Sequence, residues 1–158
     1  MTDEETCFYF SATGNSLYIV RELTRGTEGQ ALSIPYLLKK GTLKFEAEEI
    51  GFGQPLLGHM PPNLVREFIA RAELKADYLF SIFTFGMRKG SVMDLWDNIS
   101  RQANYPMDYI SSIQMVDNWL HHFDMNEQQK IDNHISGATC PGETRHTGTS
   151  AITSTHHP

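Results

Sequence analysis

Residues 6–17 read Thr6-Cys7-Phe8-Tyr9-Phe10-Ser11-Ala12-Thr13-Gly14-Asn15-Ser16-Leu17. Apolar and aromatic side chains fill the first half of this stretch and small polar ones the second, after which Leu17, Val20 and Leu23 recur at helical spacing. The order is a strand from Thr6 to Phe10, a polar loop and a helix. Where a buried strand stops and a helix begins, the loop's N–H groups and the positive helix end point at one spot, which favours an anion. Ser11, Thr13 and Ser16 add hydroxyl donors, Gly14 lets the backbone approach a ligand, and Asn15 adds an amide. That set is enough to enclose one phosphate without a lysine. An ordinary serine- and threonine-rich helix start is the other reading of the same six residues. The segment lacks the Gly-Lys-Ser/Thr ending of nucleotide triphosphatases and the three spaced glycines of dinucleotide folds.

Further along, Ala31 to Ile34 reads as a short strand closed by Pro35, whose ring pushes Ile34 towards an extended conformation. Glu49 to Phe52 is another, which Gly53-Gln54-Pro55 breaks. Pro62 suits the first turn of a helix that carries Leu64, Val65, Phe68, Ile69 and Ala72 on one face. Tyr78 to Thr84, YLFSIFT, has the near-continuous apolar character of a strand buried on both faces. Gly86 to Gly90 makes a loop, and Val92, Leu95, Trp96, Ile99 and Ala103 mark the next helix. Asp108 to Met115 supplies a last strand, and a short final helix starts near Asn126 with Ile131 and Ile135 on its inner face. Strands alternating with helices imply a mostly parallel sheet covered on both sides.

The chain has 158 residues, near the usual size of one domain, and its 40% apolar and 20% charged residues suit a packed, soluble globule. Residues 136–158 differ: 14 of these 23 are Gly, Pro, Ser or Thr, a composition that cannot build a core. The expected division is therefore a domain over 1–135 and a polar, flexible tail over 136–158. A formal charge of -6 disfavours nucleic acid as the main partner. Only Cys7 and Cys140 are present, so there is no disulfide framework and a reducing, cytoplasmic compartment fits. Neither they nor the adjacent His121 and His122 have metal-site spacing. The acidic start MTDEE and the lack of a long apolar run give no sign of a signal peptide or membrane span.

The segment YFSATGNSLY resembles the FMN phosphate loop of flavodoxins, Ser/Thr-x-Thr-Gly-Asn-Thr/Ser after the first strand. IGFGQPLLGHMPPNLVREFI, LKADYLFSIFTFGM and QMVDNW resemble later blocks of the flavodoxin-like domain that longer relatives fuse to a C-terminal ferredoxin, so the likeness covers roughly residues 6 to 135. It implies a flavodoxin-like three-layer α/β sandwich, with a five-stranded parallel sheet in the order 2-1-3-4-5, helices on both faces and FMN at the carboxyl ends of the strands. Ser11, Ala12, Thr13, Gly14, Asn15 and Ser16 would hold the phosphate. Gln54, Pro55, Leu56, Leu57, Gly58 and His59, with Met60, would lie along one side of the flavin ring, and Thr84, Phe85, Gly86 and Met87 along the other.

In flavodoxins a peptide flip in the second loop stabilises the half-reduced flavin, a role the resemblance places on the Leu57–Gly58 peptide, with Gly58 permitting the turn. Relatives often carry an aromatic residue between the proline and the glycine of this loop. Here Leu56 and Leu57 stand there, so Phe85 becomes the candidate aromatic face, with Leu57, His59 or Met60 packing opposite. The implied activity is electron transfer by noncovalently bound FMN between redox partner proteins such as a ferredoxin or a reductase, as a monomer or weak homodimer, without nucleic acid or membrane. An FMN-dependent NAD(P)H:quinone-type reductase and a flavin-free interaction domain are the alternatives.

Overall fold

Cys7 and Phe8 are adjacent, wholly buried and on opposite faces of one strand, which requires that strand to lie inside a sheet covered on both sides. The computed structural model describes residues 3–58, 60–86 and 90–116. In chain order its elements are β1 (Asp3–Tyr9), α1 (Asn15–Leu23), β2 (Gln30–Ser33), α2 (Ile34–Lys40), β3 (Lys44–Pro55), α3 (Asn63–Arg71), β4 (Glu73–Lys75), β5 (Tyr78–Phe85), α4 (Val92–Gln102) and β6 (Tyr109–Gln114). All strand pairs are parallel, and the sheet runs β2-β1-β3-β5-β6. This is the implied five-stranded α/β sheet with one addition: β4 pairs with Lys44–Glu46 of β3 as a sixth strand off the main path. Among the described residues no helix is long and apolar enough to cross a membrane.

Helices α2, α3 and α4 cover one face of the sheet. Phe8, Phe52 and Phe68 meet there at ring separations of 4.8 to 6.4 Å, and Trp96 lies 5.7 Å from Phe52. The other face packs Ile19 and Val20 of α1 against Cys7, Phe80, Ile82 and Met115. Aromatic rings crossing at steep angles account for the dense first layer, each contributing edge-to-face attraction beyond its buried area.

Several sequence expectations change. The third strand is twelve residues long, not Glu49 to Phe52, and it runs through Gly53 and Gln54 to Pro55. Pairing on both sides, with β1 and β5, carries the glycines, and the strand ends only at the residue that has no N–H. Pro35 does not close a strand by holding Ile34 extended. It sits in the first turn of α2, where its missing N–H costs nothing, and Ile34 and Leu37 anchor that helix in the core. Leu64 is exposed on α3, whose buried face is Val65, Phe68 and Ile69, with Ala72 buried at its end. The short β4 is set between chain neighbours by Tyr105, whose hydroxyl donates to the Ala72 carbonyl at 2.9 Å and accepts from the Leu74 N–H at 3.1 Å. The final helix near Asn126 and the tail fall outside the described residues.

At the amino-terminal end of the sheet, Glu5 is buried beneath the loop that follows α1. Cys7 Sγ donates to Glu5 Oε1 at 3.3 Å, and Thr27 Oγ1 lies 3.3 Å from Oε2. Thr27 Oγ1 also sits 3.2 Å from the Thr24 carbonyl and accepts the Gly29 N–H at 3.1 Å. One hydroxyl proton cannot serve both Glu5 and Thr24, whereas a protonated Glu5 donates to Thr27 and both bonds form. Burial pushes the Glu5 carboxyl above its ordinary range, against the hydrogen bonds that Cys7 and Thr27 donate to the carboxylate form, and its register neighbour Glu49 pushes the same way as burial. Burial likewise pushes the Cys7 thiol well up, which makes it a packing group rather than a reactive one.

The native state therefore holds a proton on Glu5 over a range in which the unfolded chain has released it. That contribution to stability is fully present below the unfolded value and is lost as pH rises through the folded one. Glu5→Gln keeps an acceptor for Cys7 and a donor for Thr27, so it is expected to be more stable than the parent at neutral pH and to flatten the decline. Urea unfolding from weakly acid to neutral pH checks this; parallel curves for parent and variant would remove the buried proton.

Candidate functional site

Because every strand points the same way, β1, β3, β5 and β6 all end at one edge, and the loops leaving them meet there. The first loop is closed by Gly14, the N-cap of α1, at φ 103°, a conformation that suits glycine. The Gly14 N–H donates to Ser11 Oγ at 3.0 Å, and the Gly14 carbonyl accepts from the Tyr18 N–H at 2.8 Å. No acidic residue stands in the first turn of α1 and no side chain caps it, so nothing within the helix's own first turn compensates its positive end.

The height of this loop is set from below. A Cβ on Gly53 of β3 would lie 2.3 Å from Val20 Cγ2 and 3.3 Å from the Ser16 carbonyl oxygen, so α1 reaches the sheet only because residue 53 has no side chain. Ser16 is buried, and its Oγ is 2.8 Å from Thr84 Oγ1 at the end of β5. Asn15 Nδ2 donates to the Val116 carbonyl, just past β6, at 3.0 Å.

The second loop leaves β3 at Pro55. The Leu56 N–H donates to the Thr84 carbonyl at 2.9 Å, continuing the ladder by one bond. Leu57 and Met60 then exchange backbone hydrogen bonds of 3.2 and 3.0 Å around Gly58, which has φ 55°. The Leu57 carbonyl is the acceptor of the Met60 N–H, so a flip of the Leu57–Gly58 peptide would break this turn. In the third loop the Phe85 carbonyl accepts the Met115 N–H at 2.8 Å and the Gly86 carbonyl accepts Gln114 Nε2 at 2.8 Å.

The three loops enclose one cleft of about 370 Å³, within the size range of small-molecule sites. Ser11, Ala12, Thr13, Asn15 and Ser16 line one end; Pro55, Leu56, Leu57 and Gly58 line one wall, and Thr84, Phe85 and Gly86 the other. Gly14 shapes the first loop without lining the cleft. Gln54 does not line it either: its side chain is wholly buried on β3, with Nε2 donating to Ser81 Oγ at 3.2 Å, because strand alternation turns it inward instead of along the wall. His59 and Met87 lie outside the described residues. Val116 lines the cleft as well and was not among the expected residues; its place immediately beyond the last strand was the available signal.

The cleft is thus divided. One end offers hydroxyls and a helix N-terminus, the other apolar surface from Leu56, Leu57, Phe85 and Val116, and none of the described lining residues is charged.

No family model and no curated protein matches the sequence. Solved structures do match the fold. The two-electron-reduced flavodoxin of Megasphaera elsdenii is 15% identical, with a TM-score of 0.50 over 70% of this chain and 82% of that one. The Trp repressor binding protein of Bacillus subtilis is 8% identical, with a TM-score of 0.50 over 81% and 96%. A flavodiiron core from Synechocystis is 19% identical, with a TM-score of 0.51 over 83% of this chain and 34% of its own length. The fold is flavodoxin-like. In a flavodoxin-like fold the edge at which the strands end is the switch point of the doubly wound sheet, where this cleft lies.

Because the Gly53–Val20 approach sets the first loop, Gly53→Ala is expected to cost about 1–3 kcal/mol of stability through overpacking. Adding Val20→Ala should return part of the loss. Chemical denaturation of the two variants checks the coupling; a Gly53→Ala protein as stable as the parent would show that α1 is free to move.

Proposed function

We propose that the protein binds FMN in this cleft and carries electrons between partner proteins. The observation that carries the reading is the division of the cleft: a helix N-terminus ringed by hydroxyls at one end and apolar walls at the other suit a molecule with a phosphate at one end and an aromatic ring system at the other. The residues fit such a guest. The loop from Ser11 to Ser16 would hold the phosphate through main-chain N–H groups and hydroxyls. Pro55, Leu56, Leu57 and Gly58 would flank the ring on one side, Thr84, Phe85 and Gly86 on the other, with His59 and Met87 completing the two loops by sequence order. FMN supplies the one- and two-electron chemistry when bound.

The chain's own part is to bind, to exclude water and to set the electrostatic surroundings. Among the described lining residues none is charged, so the phosphate meets dipoles there, and the apolar walls hold the ring out of water. The net charge of -6 favours brief encounters with positively charged redox partners, such as a reductase or a ferredoxin with a basic docking face, through a small interface that salt weakens.

Purified protein is expected to show flavin absorption bands, or to acquire them on titration with FMN at one equivalent. A protein that leaves the FMN spectrum unchanged contradicts the reading. Gly58→Val, strained at φ 55°, is expected to shift the midpoint potential of bound FMN through the Leu57–Gly58 peptide. Potentiometric titration of parent and variant measures the shift, and equal potentials would remove the peptide's role.

A further inference from the structure

Resting on the FMN reading, we propose that Ser16 and Thr84 are positioning residues: their buried hydroxyl pair ties the phosphate loop to the ring loop, and the Ser16 hydroxyl does not itself hold the phosphate. The motif alone counts Ser16 as a phosphate donor. The structure gives that hydroxyl another partner. Ser16 is the second residue of α1 and is 1% exposed, on the face that also buries Ile19 and Val20. Its Oγ meets Thr84 Oγ1 at 2.8 Å, and Thr84 is 4% exposed. Although both residues line the cleft, a hydroxyl so nearly buried and already engaged by Thr84 offers little of itself to an anion there. The phosphate donors that remain are the main-chain N–H groups, the hydroxyl of Thr13, which lines the cleft, and that of Ser11, whose oxygen accepts from the Gly14 N–H and whose own proton that bond does not use.

What the pair does instead follows from where its members sit. Ser16 belongs to the first loop and the first turn of α1; Thr84 ends β5 and lines the cleft beside Phe85. The Thr84 carbonyl also takes the Leu56 N–H at 2.9 Å, so this one residue is bonded to both of the other loops. The bond from Asn15 Nδ2 to the Val116 carbonyl fastens the same loop to the end of β6. Displacing Ser16 therefore moves the surroundings of the ring as well as those of the phosphate.

The test is a double-mutant cycle read with two ligands, FMN and riboflavin, the second lacking the phosphate. Ser16→Ala and Thr84→Val are each expected to weaken both ligands by about fivefold, the worth of one buried hydroxyl bond. The double variant should be no weaker than either single one. Thr84→Ser, which keeps the hydroxyl and is the milder variant for folding, should bind as the parent does. Ser16→Ala should also change the visible circular dichroism of the bound ring, which a loss of stability alone would not do. Weakened FMN with unchanged riboflavin would make Ser16 a phosphate ligand and overturn the proposal, as would losses that multiply in the double variant. A parent that binds neither flavin overturns the FMN reading itself, whereas a parent that binds both while the losses multiply overturns only the hydroxyl link.

Discussion

Helix α1 touches the sheet at a place where the sheet has no side chain. At Gly53 a Cβ would fall 2.3 Å from Val20, and at Gly51, two residues earlier on the same face, it would fall 2.4 Å from the Phe80 ring. These two absences let one helix and one aromatic layer sit close to β3, and the rest of the site follows. The loop before α1 comes down to the level of the strand ends, Ser16 reaches Thr84, and Asn15 reaches the carbonyl beyond β6. A parallel sheet collects strand ends at one edge by topology, but only this close packing brings the first loop into register with the other two.

The electrostatics of the cleft follow from the same arrangement. A helix whose first turn has neither acid nor side-chain cap presents its positive end to the cleft, and none of the described lining residues carries a charge that would compensate it. At the other end the turn from Leu57 to Met60 is pinned by two reciprocal bonds, with Leu57 half exposed at the rim. The two ends thus differ in kind: fixed dipoles at one, apolar surface at the other.

The sequence made most of this legible where composition and burial agree. The run from Tyr78 to Thr84 reads as a strand buried on both faces and is one, and the polar loop after the first strand begins a helix as its glycine and serines indicate. Legibility failed where tertiary contacts override local preference. Gly53 looks like a breaker, yet it is a strand residue selected by the approach of α1, and Pro35 looks like a strand end, yet it opens a helix. The three-residue β4 has no apolar run to mark it and depends on Tyr105 from a distant turn. Within the site, the three loops were legible from sequence order, whereas the inward turn of Gln54 and the bond that engages the Ser16 hydroxyl were not. Which face a residue takes depends on the register of the strand and helix that carry it.

The central claim is that three loops, brought level by one close helix–strand contact, form a single binding cleft for FMN. The most direct measurement is a map of backbone amide chemical shifts as FMN is added to the isotopically labelled protein. The largest changes are expected together at residues 11–16, 56–58 and 84–86, with the opposite edge around Lys44 to Glu46 and Glu73 to Lys75 unmoved. Changes confined to one loop, or centred on that opposite edge, would contradict the account.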